Sequence, residues 1–163
     1  MVTHIDYLEN HPGIIPLVAE WQHEFFGYLS PQVTIEQRVL RLQRTAIQHA
    51  LPLTLVALTN EGDLQGAASL VPGTITHQHL TPWLSSVFVV PAYRNRGIAS
   101  ALTQRIASEA GRFGFSRLYL FTPHNESLYA NLGWQTIDSA QLEQVSAVVM
   151  ELKIDQTPDS LEH

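Results

Sequence analysis

The chain has 163 residues, 45% apolar and 15% charged, with nine Lys or Arg against fifteen Asp or Glu and a net charge of −6. That composition suits one globular domain, expected over residues 1–154, and argues against disorder and against a nucleic-acid partner. No run reaches the ~18 apolar residues of a membrane span, and the lack of Cys excludes a disulfide framework and a catalytic thiol.

Residues 3–8 read as a first strand. Pro12 marks a helix start, and Ile14, Val18, Trp21, Phe25 and Tyr28 follow at helical spacing. Ser30-Pro31 closes that helix, and Thr34-x-x-Gln37 is a capping box for the next. The second helix carries an apolar stripe of Ile35, Val39, Leu42, Ala46 and Ala50. Arg38, Arg41 and Arg44 are expected on its solvated side. Leu53 to Thr59 and Leu64 to Val71 form a hairpin around Asn60-Glu61-Gly62-Asp63. Residues 74–82 are a loop, and Trp83 to Val90 is a strand. A helix runs from Gly97 until Gly111 and Gly114 weaken it. Arg117 to Phe121 is a strand, Asn125 to Asn131 a short helix, and Trp134 to Ile137 and Val145 to Leu152 the last strands. Residues 155–163 read as a tail ending in the start of a vector-derived tag. The N-terminus lacks the basic and apolar blocks of a signal peptide, so a cytoplasmic location is expected. The order β-α-α-β-β-β-α-β-α-β-β predicts a mixed α/β (α+β) sheet flanked by helices.

One junction carries the most chemistry. The apolar run Val87-Phe88-Val89-Val90 passes through a basic turn into a helix with Ile98, Leu102, Ile106, Ala110 and Phe113 on one side. The first N–H groups of a helix have no intrahelical partner, and the helix dipole adds positive potential there. Such a turn takes an anion, most often a phosphate. Gly97 and Ala99 allow close approach, and Arg94 and Arg96 add charge. The GxxxxGK[ST] and GxGxxG loops are both absent.

Arg94-x-x-Gly97-x-Ala99 after Val89-Val90-Pro91-Ala92-Tyr93 resembles the pyrophosphate loop of the GCN5-related N-acetyltransferase (GNAT) superfamily. The element order is similar from end to end, and the specific motifs span roughly residues 83 to 134. The resemblance implies a single-domain, largely antiparallel central sheet and acetyl-coenzyme A as co-substrate, with no metal. It implies coenzyme A contacts at Val87, Phe88, Val89, Arg94, Asn95, Arg96, Gly97, Ile98, Ala99 and Ser100. The strand 87–89 would splay from its neighbour and offer backbone groups to the pantetheine arm and the thioester oxygen. Leu128-Tyr129-Ala130-Asn131-Leu132-Gly133-Trp134 resembles the family's aromatic motif, in which Tyr129 would be the proton donor to the departing sulfur. A phenol with an ordinary pKa near ~10 gives such a reaction an alkaline optimum.

Asn125 has two readings, a pantetheine contact or a helix N-cap. The general base has no clear owner among Glu24, His77, His79, His124 and water. Trp83 either walls the acceptor pocket or is simply buried. The implied function is acetyl transfer to an amine, either a small molecule or an N-terminal amine. The alternatives are another acyl donor or an O-acceptor, and a non-catalytic acyl-coenzyme A-binding module. The apolar strand 145–152 suggests a homodimer that covers it, unless the chain's own sheet encloses it.

Overall fold

The structure is a computed structural model that describes residues 3–74, 76–142 and 144–154; the tail expected at 155–163 lies outside them. Seven strands form one sheet: β1 (His4–Tyr7), β2 (Leu53–Leu58), β3 (Leu64–Val71), β4 (Trp83–Val89), β5 (Arg117–Thr122), β6 (Gln135–Leu142) and β7 (Val145–Lys153). Their order is β1-β2-β3-β4-β5-β7-β6, and every neighbouring pair is antiparallel except β4 with β5. Four α-helices complete the fold: α1 (Ile15–Phe26), α2 (Ile35–Thr45), α3 (Ile98–Arg112) and α4 (Glu126–Asn131).

The helices divide between the two faces. Ile98, Leu102, Ile106 and Ala110 of α3 pack with Leu55, Leu70, Leu84, Leu118 and Met150 on one side. On the other, Val18 and Ala19 of α1 and Leu42 of α2 pack with Val56, Ala67 and Phe88. The alternation of strand side chains makes this possible, since each strand feeds both layers. One buried carboxylate ties α3 to the sheet's far edge. Glu109 accepts from Tyr7 Oη at 2.9 and 3.0 Å and from Arg112 Nη2 at 2.6 Å, so its charge is matched where water cannot reach it.

Three expectations need correction. First, α2 stops at Thr45 rather than near Ala50. Its capping box is present, with Gln37 N donating to Thr34 Oγ1 at 3.1 Å and Thr34 N to Gln37 Oε1 at 2.9 Å. Beyond Thr45 the backbone leaves the helix, and the Gln48 carbonyl accepts from Arg112 Nη2 at 2.7 Å instead. Second, the buried face of α2 is rotated. Ile35 is exposed, whereas Arg38 is buried beside Leu42; only Arg41 and Arg44 are solvated. Third, β7 is interior, paired with β5 on one side and β6 on the other. Its apolar faces are covered by its own chain, so the homodimer loses the observation it stood on. The edge falls to β6, whose exposed Asp138, Ser139 and Gln141 guard it against pairing with another chain.

Candidate active site

The parallel pair β4 and β5 meets at a single residue pair, Trp83 with Tyr119, and then diverges. The cause is a bulge in β4. Against β3, Ser85 pairs with Ser69 and Phe88 with Ala67, so β4 carries one residue more than its partner over that stretch. Ser86 takes the strain, with φ +56 in the left-handed region. A bulge of this kind bends its strand and ends regular pairing, and bulges concentrate beside active sites. Gly66 permits it. A Cβ at that position would lie 2.5 Å from the Phe88 carbonyl oxygen.

The divergence opens a cavity of about 1010 Å³. Val90 N donates to the Gln65 carbonyl of β3 at 2.8 Å. By strand alternation the N–H groups of Val87 and Val89 point the other way, into the gap toward β5. Their side chains pack toward α3, and Phe88 turns to the α1 layer, stacked on Phe25 with centroids 5.7 Å apart. The splayed strand expected at 87–89 is thus present.

At one end of the cavity α3 begins. Gly97, its N-cap residue, has φ +78, and no side chain caps the helix. The first intrahelical bond runs from Ala101 N to the Gly97 carbonyl at 3.0 Å. Ile98, Ala99 and Ser100 come before it, and all three line the cavity. A Cβ on Gly97 would meet no protein atom within 4 Å. The glycine therefore answers to its backbone angle and to the open space before it, and no protein packing demands it. Asn95, with φ +63, and Arg94 line the same end, and the Arg94 guanidinium sits 5.3 Å from the Phe25 ring centre. Of the expected coenzyme A contacts only Arg96 is absent from the lining; its guanidinium lies over the Tyr93 ring, 5.5 Å from the centroid.

Across the gap, β5 ends in a turn built on Thr122, whose Oγ1 accepts from Asn125 N at 2.9 Å. Asn125 occupies the N-cap position of α4, but its side chain makes no capping bond and lines the cavity instead. Tyr129 follows one turn later. It is held edge-on to Trp134 at 5.9 Å, and burial pushes its phenol up to about 12. His124 also lines the cavity, stacked on Tyr28 at 6.4 Å. Glu24, His77 and His79 do not. His77 pairs with Asp138 at 2.8 Å, and Trp83 is fully buried with its indole N–H donating to the Leu80 carbonyl at 2.8 Å. Among the described residues no cluster of His, Cys, Asp or Glu could hold a metal ion, and no helix is long and apolar enough to cross a membrane.

The family model described as the acetyltransferase (GNAT) family matches residues 6–134. The chain belongs to this family. The Escherichia coli protein described as the uncharacterized N-acetyltransferase YjgM is 31% identical over 84 residues, 49% of this chain; the match spans half of that relative's length. Solved acetyltransferases share the fold. A GCN5-related N-acetyltransferase from Kribbella flavida is 21% identical with a TM-score of 0.73, covering 93% of this chain and 98% of its own. The Salmonella typhimurium acetyltransferase yncA, solved with its cofactor acetyl-CoA, is 18% identical with a TM-score of 0.70, covering 97% of each chain.

Within this family member the sequence left one lining group unnoticed. Arg38 and Arg41 of α2 reach the cavity, and Arg38 is only 8% exposed. Burial, with the Arg41 charge beside it, pulls the Arg38 guanidinium below its ordinary value. The available signal was spacing: Arg38 stands four residues before the buried Leu42, on the same helical face.

Proposed function

We propose that this chain, over residues 1–154, is an acetyl-coenzyme A-dependent N-acetyltransferase in which an amine attacks the thioester directly. The observation that carries the reading is the β4–β5 gap, with an uncapped helix N-terminus at one end and a buried tyrosine on its wall. The reading sets the protein in the cytoplasm, and a Cys-free chain has no disulfide that would call for an oxidising compartment.

The α3 N-terminus, with Arg94 and Asn95, receives the diphosphate. The N–H groups of Val87 and Val89 bind the pantetheine arm and polarise the thioester oxygen, a preorganised donor set for the charge that develops there. Asn125 adds a side-chain contact. A neutral amine then attacks the carbonyl carbon: the C–N bond forms, the C–S bond breaks, and the sulfur leaves with the electron pair. The nitrogen's proton passes to His124 or to water, since no carboxylate of the described residues lines the cavity.

Tyr129 serves the departing sulfur. A phenol raised to about 12 is a weaker acid than a thiol of ordinary pKa near ~8.5. The phenol therefore stabilises the thiolate as a hydrogen-bond donor and keeps its proton, and the thiolate is protonated from solvent.

Release of free thiol from acetyl-coenzyme A, followed with a panel of primary amines, tests the reading. Acetylated amine should appear in equal amount with the thiol. Tight coenzyme A binding with no transfer to any amine would instead mark a regulatory binding module.

A further inference from the structure

The ionised side chains among the described residues lining the cavity are all arginines, in a protein of net charge −6. Among the described residues Arg38, Arg41 and Arg94 line the cavity, and no Asp or Glu does. Arg94 belongs to the phosphate end. Arg38 and Arg41 arrive on α2, which packs on the sheet face opposite α3.

Arg38 is the sharper observation. Its Nε and Nη2 are enclosed and have no hydrogen-bond partner. Buried guanidinium groups are normally paired, because removing them from water is expensive. Here the neighbouring charge is Arg41, of the same sign, and among the described residues no acid compensates. Packing alone would favour Leu or Met at this position. A planar fork of N–H donors matches a carboxylate with two parallel hydrogen bonds.

Resting on the acetyltransferase reading above, we infer that the acceptor is an amine bearing a carboxylate, a free amino acid, and that Arg38 binds that carboxylate with Arg41 beside it. Coenzyme A supplies the anion at the α3 end, and the acceptor supplies the one at α2. Arg38 is then a specificity residue: it selects free amino acids over amines and amides and orients the amino group toward the gap.

The test sets each amino acid beside its own amide, with an aminophosphonate analogue as a third member. Transfer kinetics are measured, together with calorimetry of the same compounds on the protein saturated with coenzyme A. In the parent protein the best acids should exceed their amides at least tenfold in kcat/KM, in line with a charge-assisted hydrogen bond. Arg38→Met should collapse that preference to within threefold, Arg38→Lys should keep part of it, and coenzyme A affinity should stay within twofold. Should Arg38→Met fail to fold, Arg41→Ser, on an exposed residue, should still reduce the preference at least threefold. Three results overturn the inference: acid and amide equally good in the parent, a folded Arg38→Met that keeps the preference but loses coenzyme A affinity, or a tenfold preference for the aminophosphonate. Amino acid binding that Arg38→Met abolishes, in a protein that transfers nothing, would uphold the carboxylate site and sink the transfer reading. The absence of both binding and transfer for every amino acid would overturn the carboxylate site.

Discussion

Tyr129 shows how burial decides what a side chain can do. The motif around it is local and readable, but its acidity is not, because the wall that removes it from water comes from elements distant in sequence. With the phenol raised to about 12, its proton is held through the whole neutral and mildly alkaline range. The falling limb expected from an ordinary phenol near ~10 therefore moves out of reach. With an alkylamine acceptor, kcat/KM should rise from pH 6 to 10 as the ammonium loses its proton, with no decline attributable to Tyr129 below about pH 11. Tyr129→Phe should lower kcat about 10²-fold, the low end for removing one hydrogen-bond donor to developing negative charge, with coenzyme A affinity nearly intact. A rate within twofold of the parent would mean that the sulfur leaves without help from this phenol. The sign for stability follows from the same shift. Folding holds the proton more tightly, so this contribution is complete below about pH 10 and fades as pH climbs toward 12.

At the scale of elements, the bulge in β4 and the rotation of α2 mark what the sequence yields and what it hides. The capping box at Thr34, the hairpin turn before Asp63 and the helix start at Gly97 depend on neighbours within a few residues, and all three are legible. The loop at Arg94, the strand at 87–89 and Tyr129 are legible through the family's motif. The face of α2 that turns inward depends on where the sheet lies, so Arg38 read as solvated and is buried. The place of β7 depends on strand pairing across the chain, so an interior strand looked like an uncovered one. Gly66 is invisible for the same reason: its need for no side chain comes from Phe88, more than twenty residues away. A Cβ at 2.5 Å from a backbone oxygen leaves no soft neighbour to move. Gly66→Ala should destabilise the fold by about 1–3 kcal/mol in denaturant titration, with the bulge and the gap disturbed together. An unchanged midpoint would show that β3 and β4 can separate freely at this point.

In the whole molecule, two helix layers on opposite faces deliver different chemistry to one gap. The α3 side brings unpaired backbone N–H groups and Arg94, the α4 corner brings Tyr129 and Asn125, and the α1–α2 side brings Phe25, Tyr28 and Arg38. The sheet's single parallel pair makes this convergence possible, because β4 and β5 part only where no antiparallel ladder holds them. The central claim is that the α3 end of this gap binds the diphosphate of coenzyme A. Calorimetric titration of coenzyme A into the parent protein and into Gly97→Val tests it most directly. A one-to-one complex is predicted for the parent. Gly97→Val should bind at least tenfold more weakly while its circular dichroism spectrum stays folded, since the added methyl groups enter space in which no protein atom stands within 4 Å of the Cβ and a β-branched residue resists the φ of +78 that shapes the loop. Equal affinity in the two folded proteins would contradict the account.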